Sequence, residues 1–80
     1  MKYVANPVVV DAFKIVEIFE PNHTLPLRLD DNSIVEAMQE MTARFMPKVG
    51  DYWVIQSDGY TYLNPAEVFE LKYSPMKEEN

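Results

Sequence analysis

The chain has 80 residues, 48% of them hydrophobic, which is enough for one hydrophobic core but too few for two. It contains no cysteine, which excludes a disulfide framework, a thiolate metal site and a thiol nucleophile. Seven basic against thirteen acidic residues give a net charge of −6, and such a surface repels the phosphates of nucleic acids.

The beginning of the chain lacks the features of an export signal. Asn6, Pro7 and Asp11 interrupt its apolar run, whereas a signal peptide needs a continuous apolar core followed by a cleavage site. No stretch approaches the roughly 18 uncharged apolar residues of a membrane-spanning helix. We therefore expect a cytoplasmic protein with no membrane partner and, from its charge, no nucleic-acid partner.

A long extended segment follows Pro7. Residues 8–19 are rich in β-branched and aromatic side chains and show no helical period, which predicts one long strand or two strands with a bulge. Strict alternation places five apolar residues on the cleaner face: Val8, Val10, Ala12, Val16 and Ile18. The two prolines in residues 20–30 then predict a loop with a short extended piece at Leu27–Leu29.

An amphipathic helix is predicted over about residues 33–46. Ser33 and Glu36 match a capping box, in which the hydroxyl and the carboxylate bond to free backbone N–H groups at a helix start. An apolar stripe follows at helical spacing: Ile34, Met38, Met41 and Phe45. The next proline ends the helix. On the other face, Glu40 and Arg44 stand four residues apart in the order that favours an ion pair.

The strongest local pattern is a hairpin. Asp58 and Gly59 separate two β-rich runs, Tyr52–Ser57 and Tyr60–Leu63, and an Asp-Gly pair in that place is typical of a two-residue type I′ turn. A turn with Gly50 available for positive φ precedes the hairpin.

The last part of the chain is predicted as a helical turn, a strand and a tail. Asn64–Glu67 matches a capped helical turn, and Val68–Tyr73 alternates in polarity like a strand. That strand would direct three residues to the core: Phe69, Leu71 and Tyr73. We thus expect a single α+β domain over residues 1–74 and a polar tail over residues 75–80. Its antiparallel sheet would have three to five strands packed against the one helix.

Two stretches, Tyr3–Phe13 and Pro47–Tyr73, resemble small proteins that tailed phages and prophages encode, with residues 15–46 unmatched. Proteins of that family begin with a Lys-Pro-Val-Val-Val-Glu-Ala strand, continue with a Pro-Gly-Asp-Trp turn and end on Pro-Asp-x-Phe-Glu-x-x-Tyr. The corresponding residues here are Asn-Pro-Val-Val-Val-Asp-Ala, Pro-Lys-Val-Gly-Asp-Tyr-Trp and Pro-Ala-Glu-Val-Phe-Glu-Leu-Lys-Tyr. The resemblance implies a small α+β domain in a bacterial or viral cytosol, and it implies no activity.

No residue pattern in the chain indicates catalysis. His23 is the only histidine and has no metal-ligand partner at a suitable spacing. Asp30 and Asp31 are interpreted as helix-start residues and not as an acid–base pair. Gly50 and Gly59 stand alone, which excludes a glycine-rich phosphate loop. We therefore predict a protein that is not an enzyme and has no catalytic residues, no cofactor and no metal.

The aromatic residues of the hairpin are the candidate for a binding surface. A sheet with one covered face cannot bury aromatic side chains on both sides of its pleat, so some of them should be exposed. Tyr52, Tyr60 and Tyr62, together with Asp58, are predicted to bind a partner protein, because tyrosine is enriched in interface hot spots. The alternative is that the tyrosines cover the sheet edge while Trp53 packs under the helix.

These patterns predict a non-enzymatic accessory protein of phage or prophage type that binds a host or viral protein. Two alternatives stay open. One is a homo-oligomeric structural or assembly component that uses a strand edge as its self-interface. The other is an acidic mimic of nucleic acid.

Overall fold

The computed structural model describes residues 1–5 and 8–76, and within these ranges it consists of seven β-strands and two short α-helices. In chain order the elements are β1 (Lys2–Ala5), β2 (Val8–Ile18), β3 (Leu25–Leu29), β4 (Ile34–Ala37), α1 (Gln39–Arg44), β5 (Tyr52–Gln56), β6 (Thr61–Asn64), α2 (Ala66–Lys72) and β7 (Ser74–Pro75). All strand pairings are antiparallel. The predicted antiparallel sheet is confirmed, but it is larger than three to five strands and the helices are short.

The long strand β2 connects the two parts of the sheet. Its residues 8–14 pair with β1 and β5, and its residues 15–18 pair with β3. The remaining pairings place β4 beside β3, β7 beside β1 and β6 beside β5. Of the two predicted alternatives, the single long strand is confirmed, and its register shifts between Ile15 and Glu17, as at a bulge. Val16 lies at the bulge and is 45% exposed, so its predicted place on the apolar face is wrong.

The central strands β2 and β5 bury side chains on both faces. Phe13 pairs with Trp53 on the face that β3 and β4 cover, and Ala12 pairs with Val54 on the face that α2 covers. The first core cluster contains Ile15, Leu25, Leu27, Leu29, Ala37 and Trp53. The second core cluster contains Val10, Ala12, Tyr52, Val54 and Phe69. Two-sided burial explains why these strands read as continuous apolar runs and not as a clean alternation.

Strand β3 includes the predicted short extended piece Leu27–Leu29 and begins two residues earlier, within residues otherwise predicted to be a loop. Leu25, Leu27 and Leu29 are buried, and the residues between them are partly exposed. The prediction gave too much weight to the prolines. Pro26 is tolerated within β3 because its backbone carbonyl, which accepts from the N–H of Phe19 at 3.0 Å, is the group that the strand pairing uses there.

Strand β4 replaces the first half of the predicted helix 33–46. Ile34–Ala37 pairs with β3 along its length, and α1 is confined to six residues with none of them buried. A helical stripe would have buried Ile34 and Met38, which are 56% and 49% exposed, whereas Ala37 is completely buried. Pairing with β3 satisfies the backbone and buries Ala37 in the first core cluster, and a lone surface helix does neither.

The β3–β4 and β5–β6 hairpins have loops of the same form. Each has three residues and ends in one with positive φ, 74° for Asn32 and 92° for Gly59. In each, the middle aspartate accepts the backbone N–H two residues later, at 3.0 Å from Ser33 to Asp31 and 3.0 Å from Tyr60 to Asp58. This is the three-residue hairpin loop that closes on a left-handed residue. The β5–β6 hairpin is confirmed, but its predicted type I′ turn is wrong.

Ser33 belongs to the first of these loops and does not cap a helix. Its hydroxyl donates to Oδ1 of Asp31 at 2.6 Å, in addition to the backbone bond. These bonds hold the pKa of Asp31 below its ordinary value, because they stabilise the carboxylate. Asp31 is thus a loop residue, and the predicted capping box is wrong.

Helix α2 lies where Val68–Tyr73 was predicted to be a strand. Phe69 is completely buried, as expected, but Leu71 is 90% exposed because a helix directs residues two apart to different sides. Tyr73 packs against the second core cluster. Ser74 and Pro75 then pair with β1, so Pro75, predicted to begin the tail, belongs to the sheet. The last residues of the predicted tail, 77–80, lie outside the described ranges.

The carboxylate of Asp51 is buried at the junction of these elements. Its Oδ2 accepts the N–H of Lys48 at 2.9 Å, and its Oδ1 accepts the N–H of Ala66 at 2.9 Å. Its backbone carbonyl accepts the N–H of Ile15 at 2.8 Å, and Gly50 beside it has the predicted positive φ, here 101°. One residue therefore holds the turn before β5, the first turn of α2 and the bulge region of β2.

We expect Asp51→Ala to lower the free energy of unfolding by about 2–4 kcal/mol, because it leaves two backbone N–H groups without an acceptor. Chemical denaturation monitored by circular dichroism measures the loss. Asp30→Ala is the matched control, since Asp30 is an exposed aspartate and should change stability by less than about 0.5 kcal/mol. Equal losses for the two variants would contradict this role of Asp51.

The positive φ of Asn32 leads to a second prediction. Asn32→Val should cost about 2 kcal/mol, because a β-branched residue is strained in the left-handed region, and Asn32→Gly should cost less than about 1 kcal/mol. The control is Asp30→Val in the same loop, at a residue that is not among those with positive φ. Denaturant titration measures the free energy of unfolding of each variant. If Asp30→Val loses as much stability as Asn32→Val, the positive φ of Asn32 does not explain the loss.

Candidate functional site

Tyr60 and Tyr62, two of the predicted partner-binding residues, lie together on the β5–β6 hairpin. Their rings are stacked with centroids 5.9 Å apart. Tyr60 is 49% exposed and Tyr62 is partly buried. Asp58 is exposed in the loop, and its carboxylate holds the backbone N–H of Tyr60. Three of the four predicted residues therefore lie at the same end of the hairpin.

Tyr52, the fourth predicted residue, belongs to the second core cluster. It is 3% exposed, its ring stacks on that of Phe69 at 4.2 Å, and its hydroxyl donates to Oε2 of Glu70 at 2.7 Å. Burial, and after it the hydrogen bond to Glu70, raises the pKa of Tyr52 far above its ordinary value. Its predicted place in an exposed patch is wrong, because α2 covers this face of β5.

A groove of about 350 Å³ lies between α1 and β6, and we call it the β6 groove. One wall consists of Met38, Glu40, Met41, Arg44 and Phe45. Four consecutive hairpin residues, 60–63, form the other wall. Successive residues of a strand point to opposite faces of the sheet, so a cavity that touches all four lies at the strand's edge. That edge is the open one, since β6 pairs with β5 alone.

Arg44 joins the two walls of the β6 groove. Its Nη1 donates to the hydroxyl of Tyr60 at 3.1 Å. The expected Glu40–Arg44 ion pair is not formed, and among the described residues Arg44 takes part in no salt bridge. The role of Arg44 was missed at the sequence level because its partner lies 16 residues away, beyond any local pattern.

Packing of α1 explains why the groove is apolar. No residue of α1 is fully buried. Met41 is partly buried against the first core cluster, and this contact anchors the helix. Met38 is 49% exposed beside it. Of the predicted apolar stripe, Met41 thus packs against the core. The other members of the stripe line the groove or are exposed to solvent.

A second and smaller hollow of about 200 Å³ lies near His23, on another side of α1. His23 has a positive φ of 67°, and its carbonyl accepts from Nε2 of Gln39 at 3.0 Å. None of the described residues that line this hollow is acidic. His23 therefore meets no carboxylate there with which it could share a proton.

The described part of the chain contains neither a metal-ligand cluster nor a membrane-spanning helix. Over residues 1–5 and 8–76, no three His, Asp or Glu side chains come together so as to hold a metal ion. Neither helix of the described chain is long and apolar enough to cross a bilayer. That the protein has no metal, cofactor or catalytic residue stays a prediction.

The buried phenols predict an alkaline loss of stability. Unfolded tyrosine ionises near pH 10, and the folded protein holds the pKa of Tyr52 above that value, so folding favours the neutral phenol. Burial and a hydrogen bond with Tyr73 raise the pKa of Tyr62 in the same direction. The stabilisation is complete below about pH 10 and is lost as the pH rises above it.

We expect Tyr52→Phe to make this alkaline loss of unfolding free energy shallower, with the remainder due to Tyr62. Denaturation series between pH 8 and about pH 12 measure the effect. Val49→Ala is the control, because it changes an exposed side chain in the turn before β5 and removes no titratable group, so it should leave the slope unchanged. An unchanged slope in Tyr52→Phe would contradict the assignment.

Comparison with known proteins finds no similarity that points to a function: no family model, no curated protein and no solved structure matches the chain. The phage-family resemblance of Tyr3–Phe13 and Pro47–Tyr73 stays a prediction. The geometry of the β6 groove is therefore the basis for inferring what the protein does.

Proposed function

We propose that the protein is a non-enzymatic accessory protein that attaches to a partner protein through the β6 groove. The observation that carries the proposal is an open strand edge beside exposed apolar and aromatic side chains. Natural sheets protect their edges with charges, bulges or covering loops, so an open edge with an apolar groove favours a partner. In the groove, Met38 and Tyr60 are each 49% exposed.

The side chains of the β6 groove have the chemistry of interface hot spots. Tyrosine and arginine are enriched in such sites, and here Arg44 is bonded to Tyr60, whose ring stacks on Tyr62. Met38 and Met41 supply flexible apolar surface that adapts to a partner. Together with the open edge of β6, this composition favours a protein partner.

The biological setting is part of the proposal. The resemblance of Tyr3–Phe13 and Pro47–Tyr73 to phage and prophage proteins supports a bacterial host cytoplasm and a host or viral partner that the protein modulates. The net charge of −6 favours a partner whose surface outside the groove is basic, because opposite potentials steer association.

We expect Tyr60→Ala and Tyr62→Ala to weaken capture of the partner at least tenfold, because each removes an aromatic anchor from the groove. Tagged variants are compared in affinity capture from bacterial lysate, with the retained protein quantified by mass spectrometry. Val49→Ala is the matched control, since Val49 is 59% exposed in the turn before β5 and does not line the groove.

Thermal denaturation of the same variants separates binding from folding. Tyr60→Ala should cost about 1–2 kcal/mol, because it removes one stacked aromatic pair and the burial of a half-exposed ring. The proposal fails if a specific partner is retained equally by both tyrosine variants and by the wild type, or if the weakened capture follows only from unfolding.

A further inference from the structure

The direction of the backbone groups of β6 follows from its pairing with β5. The N–H of Gln56 donates to the carbonyl of Tyr60 at 2.8 Å, so these two residues form a hydrogen-bonded pair of the ladder. In an antiparallel ladder such pairs alternate with non-bonded pairs. Tyr62 and Asn64 therefore direct their N–H and C=O groups to β5, and Thr61 and Leu63 direct theirs away from it, toward the open edge.

These outward groups have no partner strand among the described residues, since β6 pairs only with β5. The backbone groups of Thr61 and Leu63 take part in no turn or loop hydrogen bond either. The side chains of Thr61 and Leu63 are only partly exposed and line the β6 groove. Thr61 and Leu63 thus each offer one backbone N–H and one C=O to an incoming strand beside the β6 groove.

The other open edge of the sheet is less suited to an incoming strand. Strand β4 also has one neighbour among the described residues, and the small hollow near His23 reaches it only at Ala37, its last residue. Its Glu36 carboxylate accepts the hydroxyl of Thr24 at 2.6 Å and is exposed at that edge, and an edge charge of this kind discourages pairing. Strand β7 is two residues long and includes Pro75.

The charges of the β6 groove favour an acidic partner side chain beside Arg44. Arg44 is the basic residue that lines the groove, and among the described residues its side chain makes one hydrogen bond, to the hydroxyl of Tyr60. A guanidinium has five donors and matches a carboxylate in a bidentate manner, so most of its capacity is free for a partner. Glu40, one turn earlier on α1, would repel a second carboxylate at its end of the groove.

We propose that an extended segment of the partner protein adds to the sheet as a new strand against β6, with an Asp or Glu side chain bound to Arg44. The inference rests on the proposed function and specifies how that function is performed. The incoming backbone exchanges hydrogen bonds with Thr61 and Leu63, and its alternate side chains enter the β6 groove, as in known cases of strand addition.

The probe in the test is a display library of random decapeptides, which is selected for binding to the 80-residue protein. We expect enriched peptides to combine alternating β-branched or aromatic residues with one Asp or Glu. A synthetic copy of the most enriched peptide should slow hydrogen exchange of the Thr61 and Leu63 amides. Replacing its acidic residue with Lys should weaken binding at least tenfold.

Two kinds of variant distinguish strand addition from a general effect on folding. Thr61→Pro and Leu63→Pro each remove an outward N–H without removing a bond to β5, so a variant that keeps the wild-type circular dichroism should lose peptide binding. Arg44→Gln should still bind the peptide but should no longer prefer the acidic form over its amide. The control, Val49→Ala, should behave as wild type.

The proposal is overturned if no peptide family is enriched, if a folded proline variant binds as well as wild type, or if the acidic preference survives in Arg44→Gln. It is also overturned if the Thr61 and Leu63 amides become protected on concentrating the protein alone, because a second copy then occupies the edge. Capture that depends on Tyr60 but survives in a folded proline variant would support the proposed function while rejecting strand addition.

Discussion

The buried carboxylate of Asp51 is the interaction on which the arrangement of the other elements depends. Two backbone N–H groups from different segments, those of Lys48 and Ala66, donate to its two oxygens. Burying the Asp51 carboxylate without these donors would lower the stability of the fold, and so would burying the two N–H groups without an acceptor. The turn before β5 and the start of α2 are therefore held together, and this sets where α2 crosses the sheet.

The position of α2 in turn decides the character of the hairpin. Because α2 covers one face of β5 and the β3–β4 hairpin covers the other, the central strands are buried on both sides. Tyr52 is drawn into the core, where its hydroxyl is bonded to Glu70. Strand β6 lies at the margin of both core clusters, so Tyr62 and the adjoining Tyr60 are not fully covered. The outer edge of β6 is left open beside α1.

The same geometry connects the fold with the proposed function. The short helix α1 lies beside the open edge of β6 and is anchored to the core mainly through Met41. Its Arg44 reaches the hairpin through Tyr60 and so connects the two walls of the β6 groove. An apolar groove beside outward backbone groups is suited to extended peptides, whose affinity comes from main-chain bonds and whose specificity comes from alternate side chains.

Local chemistry by itself determined the elements whose signals lie within a few residues. The β5–β6 hairpin, the positive φ of Gly50 and the long strand β2 could all be predicted, because turn residues and β-branched runs act over short distances. Asp31-Asn32 could have been recognised as a hairpin loop as well, since it repeats the pattern of Asp58-Gly59. Tertiary structure alone decided the rest. Ile34–Ala37 suits a helix or a strand, and pairing with β3 selected the strand; Val68–Tyr73 alternates like a strand, and the Asp51 carboxylate together with the burial of Phe69 selected the helix. The contact of Arg44 with Tyr60 spans a distance in sequence that no periodic pattern covers, which is why the β6 groove emerged only from the folded chain.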